Sequence, residues 1–182
     1  MKGAALFIDN SNFYHSLKES RRLPFPPADY EKLFALLSKQ FGYELKHIFL
    51  YDAVKDISKE QAQYAAQQKF HSGIKGLSPK WPMSLKTRKL KYRAMGKRFV
   101  QEEKGVDVLL VVDAIRTALA KEVETVIVLS GDADFVPLVE FLKTLKVETV
   151  NLHLFSGSST ELRQACDKHI LIYFTDSSLL LK

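Results

Sequence analysis

The sequence predicts an α/β fold of three layers, with helices on both faces of a mostly parallel sheet. Two observations carry that expectation. Short apolar runs of strand length alternate with segments of helical periodicity along the chain, the pattern of successive strand–helix–strand units. At 182 residues and 46% hydrophobic, the chain also has enough mass to bury one sizeable core. One domain over residues 1–182 is therefore expected, interrupted by a basic β-ribbon or loop insertion at about 75–98.

The elements follow in order. "AALFID", Ala4 to Asp9, is a short apolar run stopped by polar residues and reads as a buried parallel strand. "NFYHSLKES" reads as a helix before the turn-rich "RRLPFPP", and Asp29 opens another helix to Gln40, in which Leu33, Phe34, Leu36 and Leu37 recur at helical spacing. "ELKHIFLYDA" is a second strand, and the polar helix "SKEQAQYAAQQKFHSG" ends near Gly73. Pro79, Pro82 and Gly96 punctuate the basic segment, where "MSLKTRKLKYR" partly alternates. A long helix follows in "DVLLVVDAIRTALAKEV", with Val108, Val111, Val112, Ile115 and Leu119 as its expected core face. "ETVIVLS", "VETVNLHLF" and "HILIYF" are the remaining strands, separated by the helices "DFVPLVEFLKTL" and "SSTELRQACD".

Charge is unevenly distributed. The net charge is +6, and seven Lys or Arg fall between Lys86 and Arg98 without an acid, with Tyr92 among them and Trp81 upstream. Such a stretch can recruit phosphates through counterion release, and exposed aromatic rings can stack bases. Packing of Trp81 and Tyr92 against the domain is the competing reading. No apolar run approaches the ~18 residues of a membrane span, and the N-terminus lacks a signal-peptide layout, so a cytoplasmic protein is expected. The lone Cys166 has no internal disulfide partner and reads as a small apolar side chain.

In parallel α/β sheets ligands bind beyond the carboxyl ends of the strands. Asp9 ends the first strand, Asp132 and Asp134 follow the strand Val126 to Ser130, and Asp107 opens the long helix before it, so the fold should gather all four acids at one edge. Two bare charges ~4 Å apart repel by about 4 kcal/mol at an effective dielectric near 20. A hard divalent cation, Mg²⁺ or Mn²⁺, offsets that cost and can activate water against a phosphate. Helix capping competes as an explanation for Asp107, Asp132 and Asp134, whereas Asp9 stands before the expected helix start. Asn12 and Ser130 are supporting polar groups at the same edge, with capping the alternative for Asn12. Asp113 either reaches the site from the second turn of its helix or pairs with a basic side chain. The five histidines show no paired metal spacing.

"FIDNSN", "KGVDVLLVVDAIRTA", "VLSGDADFVPLV" and "SSTELRQACDKHILI" resemble the successive blocks of the NYN domain family in its LabA-like branch, within the PIN-like nucleases. The resemblance spans nearly all of the chain. It implies a Rossmann-like fold and metal-dependent cleavage of RNA, with Asp9, Asp107, Asp132 and Asp134 as metal-binding acids. It further implies that Asn12 and Asp113 support them and that Lys104 lies near the substrate phosphates. The basic segment matches none of these blocks. On charge alone, Arg88, Lys89, Lys91, Arg93, Lys97 and Arg98 are expected to contact RNA, single-stranded because its bases are accessible. The ribbon also offers a surface for a homodimer. A phosphatase of the dehalogenase type wants a second carboxylate where Ser11 stands, and no glycine-rich phosphate loop is present. The stronger rival is an RNA-binding or regulatory module that keeps the fold without turnover.

Overall fold

The computed structural model describes residues 1–95, 98–102, 105–175 and 178–182. In chain order its elements are β1 (Lys2–Asp9), α1 (Asn10–Glu19), α2 (Pro27–Phe41), β2 (Tyr43–Val54), α3 (Gln61–Lys75), β3 (Met83–Lys89), β4 (Lys91–Met95), β5 (Arg98–Glu102) and α4 (Val106–Leu119). β6 (Thr125–Leu129), α5 (Val136–Thr144), β7 (Glu148–Leu154), α6 (Thr160–Ala165), β8 (Lys168–Thr175) and β9 (Ser178–Leu181) complete it. Seven strands form one sheet in the order β3-β2-β1-β6-β7-β8-β9, parallel except for the β8–β9 pair.

Alternation along each strand divides the core between the two faces. On β1, Ala4, Leu6 and Ile8 join Phe13, Leu17, Leu33, Phe34 and Ile74 from α1, α2 and α3. Ala5 and Phe7 face the other way, toward Leu110, Ala114, Leu138, Leu142 and Leu162 from α4, α5 and α6. The expected three-layer architecture is therefore present.

Local chemistry sets several boundaries. α2 starts at Pro27, whose fixed φ and missing N–H suit the first turn, and ends at Gly42, where a φ of 69° suits glycine. α1 begins at Asn10, two residues before the expected start. The basic ribbon exists as the antiparallel hairpin β4–β5. Its upstream part, Met83–Lys89, is instead the edge strand of the main sheet, paired in parallel with β2 from Ile48↔Met83 to Val54↔Lys89. Lysines and arginines along an edge strand deter pairing with another chain, which masks its strand character in the sequence.

α4 departs from expectation in its orientation. Its core side is Val106, Leu110, Ala114, Thr117 and Ala118, while Val108, Val112 and Leu119 face solvent. The helix is apolar nearly all round, so periodicity alone could not choose the buried side. No helix among the described residues is long and apolar enough to cross a membrane.

Candidate functional site

β1 and β6 are neighbours in the sheet although most of the chain separates them, because the strand order reverses between them. The chain runs outward from β1 to β2 and β3, then returns through α4 to β6 on the other side. Such a reversal opens a crevice at the carboxyl ends of the two strands. Ile8 lies beside Leu129 in the register, so Asp9 and Ser130 are the first residues over that crevice.

Asp9 is 3% exposed. Its Oδ1 accepts the Asn12 N–H at 3.1 Å and its Oδ2 accepts the Ser130 hydroxyl at 3.0 Å. The first bond makes Asp9 the N-cap of α1, a role excluded by the later helix start read from the sequence. Ser130 Oγ in turn accepts the Asp132 N–H at 3.1 Å, and the Asn12 carboxamide oxygen accepts the Gly131 N–H at 2.8 Å. The β6 loop is thus tied to the β1 loop through Asn12 and Ser130.

Asp132 caps a 3₁₀ turn, Ala133–Phe135, by accepting the Asp134 N–H at 2.9 Å. Asp107 lies in the first turn of α4 and makes no cap bond there; the cap position is Gly105, at a φ of 82°. Asp107 is exposed, but partial desolvation raises its carboxyl above the ordinary carboxylate value, and the nearby Asp132 and Asp134 charges raise it further. Like charge therefore converges on Asp107 from the β6 loop. Asp113 turns elsewhere: its Oδ2 accepts the Tyr51 hydroxyl at 3.0 Å, and its Oδ1 is 4.0 Å from the Arg116 guanidinium. Of the two alternatives in the sequence, pairing with a basic side chain is the one observed. Among the described residues, no three Asp, Glu, His or Cys side chains converge closely enough to form a ready-made metal cage.

The profile of the NYN domain matches residues 3–173. The chain belongs to the NYN domain family. The family is generally nuclease-like, and its nucleases generally depend on divalent metal. A crystal structure of a protein of unknown function from Vibrio parahaemolyticus RIMD 2210633 aligns with a TM-score of 0.71, covering 98% of this chain and 96% of that one at 22% identity. That likeness is one of fold, consistent with a PIN-like architecture. Comparison with curated proteins finds no match.

A hollow of about 420 Å³ is lined by Ala118, Leu119, Lys121, Val123, Leu145 and Val147 at the opposite, amino-terminal edge of the strands and holds none of the four acids. Arg88 and Lys89 are exposed at the carboxyl end of β3, and Lys91 and Arg93 are exposed on β4. β3 is two strands from β1, about 10 Å across the sheet at ~4.8 Å per strand. Lys97, Lys104 and the Arg98 side chain lie outside the described residues.

The two aromatic residues of the basic segment do not serve as free stacking platforms. Trp81 packs edge-on against Phe34 with centroids 5.5 Å apart, and the Tyr92 hydroxyl donates to Glu60 at 2.6 Å and accepts the Asp56 N–H at 3.1 Å. Their rings brace the segment against the domain. His153, which showed no metal spacing in the sequence, lies near the end of β7 and lines a small cavity with Asn12 and Ser130. Burial first, then the Arg163 and His169 charges, lowers its pKa despite a backbone bond to Leu154. Only the fold brings it beside Asn12 and Ser130, so no sequence spacing signalled it.

Proposed function

We propose that this NYN domain is a LabA-like ribonuclease that hydrolyses phosphodiester bonds of single-stranded RNA in the cytoplasm, working as one domain. The observation that carries the reading is the link at the sheet's reversal point, where the Ser130 hydroxyl donates to Asp9 and its oxygen accepts the Asp132 N–H, so that acids from two strands meet there. The charges of Asp132 and Asp134 also bear on Asp107; uncompensated, like charges gathered this way cost stability, and a bound cation turns that cost into affinity.

The donor set suits Mg²⁺ or Mn²⁺. Asp9, Asp107, Asp132 and Asp134 offer only hard oxygens, and Mg²⁺ usually takes one or two carboxylates plus substrate phosphates rather than a closed protein cage. A divalent ion held by these acids supplies a water of lowered pKa and neutralises charge developing on the phosphate. The remaining chemistry belongs to the chain. Ser130 and the Asn12 N–H fix both oxygens of Asp9. With its carboxamide oxygen oriented toward the Gly131 N–H, Asn12 has Nδ2 donors to offer, the polarity a phosphate oxygen needs. The exposed cations of β3 and β4 provide an electrostatic track for a polyanion.

A second reading, an RNA-binding module without turnover, draws on the absence of a ready-made three-ligand cage among the described residues. Cleavage of a labelled single-stranded RNA in Mn²⁺, Mg²⁺ or EDTA separates the two, with Asp132→Asn as control. The nuclease reading predicts metal-dependent cutting that the substitution reduces at least ~100-fold, the scale of losing one charge-stabilising group. RNA binding without cutting under any of these conditions would favour the module.

A further inference from the structure

Phe155 follows β7 directly, at the carboxyl edge that carries the acids, and is 91% exposed. An apolar ring left in water forgoes burial worth roughly 1.5–3 kcal/mol. Mobile loops carry such rings at little consequence, but this loop is fastened on both sides. Ser156 Oγ donates to the Ser16 carbonyl at 3.2 Å and makes a short hydrogen bond with Ser20 Oγ, which anchors the loop to α1. Beyond it, Gly157 turns at a φ of 69°, and its carbonyl lies so close to Gly131 that a Cβ there would come within 1.7 Å of the oxygen. The Ser159 N–H closes the junction by donating to the Gly131 carbonyl at 2.9 Å. The loop presenting Phe155 is therefore built onto the same turn that leads into Asp132.

A cation sits on that loop as well. Arg163 Nη1 donates to the Ser158 carbonyl at 3.2 Å and to Ser158 Oγ at 2.5 Å, and Nη2 donates to Thr160 Oγ1 at 2.9 Å. In the plane of the sheet β7 lies two strands from β1, about 10 Å, and β3 lies the same distance on the other side. Along the edge the acids thus stand between the anchored loop that carries Phe155 and holds the Arg163 guanidinium and the exposed Arg88 and Lys89.

The geometry points to Phe155 as a base-stacking subsite for single-stranded RNA, holding a nucleotide beside the one whose phosphate lies at the acids. The inference rests on the ribonuclease reading above. Bases suit the position because every base offers a π-face to a fixed ring, while neighbouring phosphates meet positive charge at both ends of the edge. A stacking contact of this kind tolerates sequence, so it sets the path and register of the strand rather than base identity.

The test is fluorescence anisotropy in EDTA at low salt, with a labelled oligouridine and a matched ribose-phosphate oligomer lacking bases. Parent, Phe155→Ala and Phe155→Trp are compared, with circular dichroism verifying the fold of each. Stacking predicts that Phe155→Ala weakens oligouridine binding roughly tenfold, within the range for one base on one ring, while Phe155→Trp retains it. It also predicts that Phe155→Ala leaves binding of the baseless oligomer unchanged. Equal binding of oligouridine by parent and Phe155→Ala would overturn the subsite and leave the ribonuclease reading standing. A change in oligomeric state with Phe155→Ala and no change in RNA affinity would assign the ring to a protein contact instead. Failure of the parent to bind oligouridine in EDTA would also overturn the subsite, whereas the ribonuclease reading stands or falls on cleavage in Mn²⁺.

Discussion

At the scale of single residues, the acids are held by different means. Asp9 is buried and both its oxygens accept protein hydrogen bonds, whereas Asp107 is exposed and has its carboxyl raised by partial desolvation and by its acidic neighbours. A carboxyl whose folded pKa exceeds its unfolded value binds protons better in the native state. Stability then falls as pH rises from about the unfolded value of 3.8 through the raised one, and the deficit persists at neutrality. Asp107→Asn should therefore raise the melting temperature at pH 7 and leave it nearly unchanged at pH 3. The gain should stay within about 0.5 kcal/mol, as for other partly exposed positions, and thermal unfolding at the two pH values checks it. A lower melting temperature at pH 7 would show that Asp107 is held by attraction rather than crowded by repulsion. Asp9, Asp132 and Asp134 were legible in the sequence because an apolar strand that stops at an acid is a conspicuous junction. Phe155 was not: as the last letter of "VNLHLF" it read as the end of a buried strand, and only the packing shows it outside.

At the scale of elements, the backbone contact between the loops after β6 and β7 is the tightest feature of the edge. Gly131→Ala would drive a methyl group into the Gly157 carbonyl and separate the two loops. A cost of about 3 kcal/mol is expected, at the upper end of overpacking, together with loss of RNA cleavage; denaturant unfolding measures the first. α4 gives a contrasting pair. Leu110 is fully buried and its change to alanine should cost about 2–5 kcal/mol, whereas Val108→Ser, at 65% exposure, should stay within about 0.5 kcal/mol. Equal effects would mean that the outward side of α4 is covered in solution. That helix shows where sequence reading stops: with apolar residues on two sides, amphipathicity carries no preference, and the choice falls to the shape of the sheet beneath. β9 escaped notice for a related reason. Four residues, Ser178–Leu181, are too few for periodicity to register, and the strand exists because β8 offers it an antiparallel partner.

At the scale of the whole molecule, function follows from topology more than from any local motif. Reversal of strand order brings Asp9 beside Ser130 from 121 residues away. The alternation of strands and helices made the three layers readable, but the assignment of β3 to the sheet depended on a pairing partner, since its charged side chains suit an exposed edge. Placing β3 there aligns Arg88 and Lys89 with the acids along one edge. If they track RNA phosphates, affinity should fall with salt at a slope of about −0.7 per phosphate neutralised on a single strand. Replacing Arg88, Lys89, Lys91 and Arg93 by glutamine should flatten the log–log slope by about 2 to 3 and weaken binding alike for every sequence, as anisotropy titrations over a salt series would show. An unchanged slope would move the RNA track away from β3 and β4.

Cleavage on this reading requires that the carboxylates at the sheet's reversal point hold a divalent cation. The most direct measurement of that requirement is Mn²⁺ binding followed by electron paramagnetic resonance in the absence of RNA, for the parent, Asp132→Asn and Asp107→Asn. Saturable binding by the parent that weakens tenfold or more in either variant, roughly 1.4 kcal/mol per lost carboxylate, is the expected result. Mn²⁺ affinity equal in all three proteins would mean that the acids at the sheet's reversal point are not the metal site.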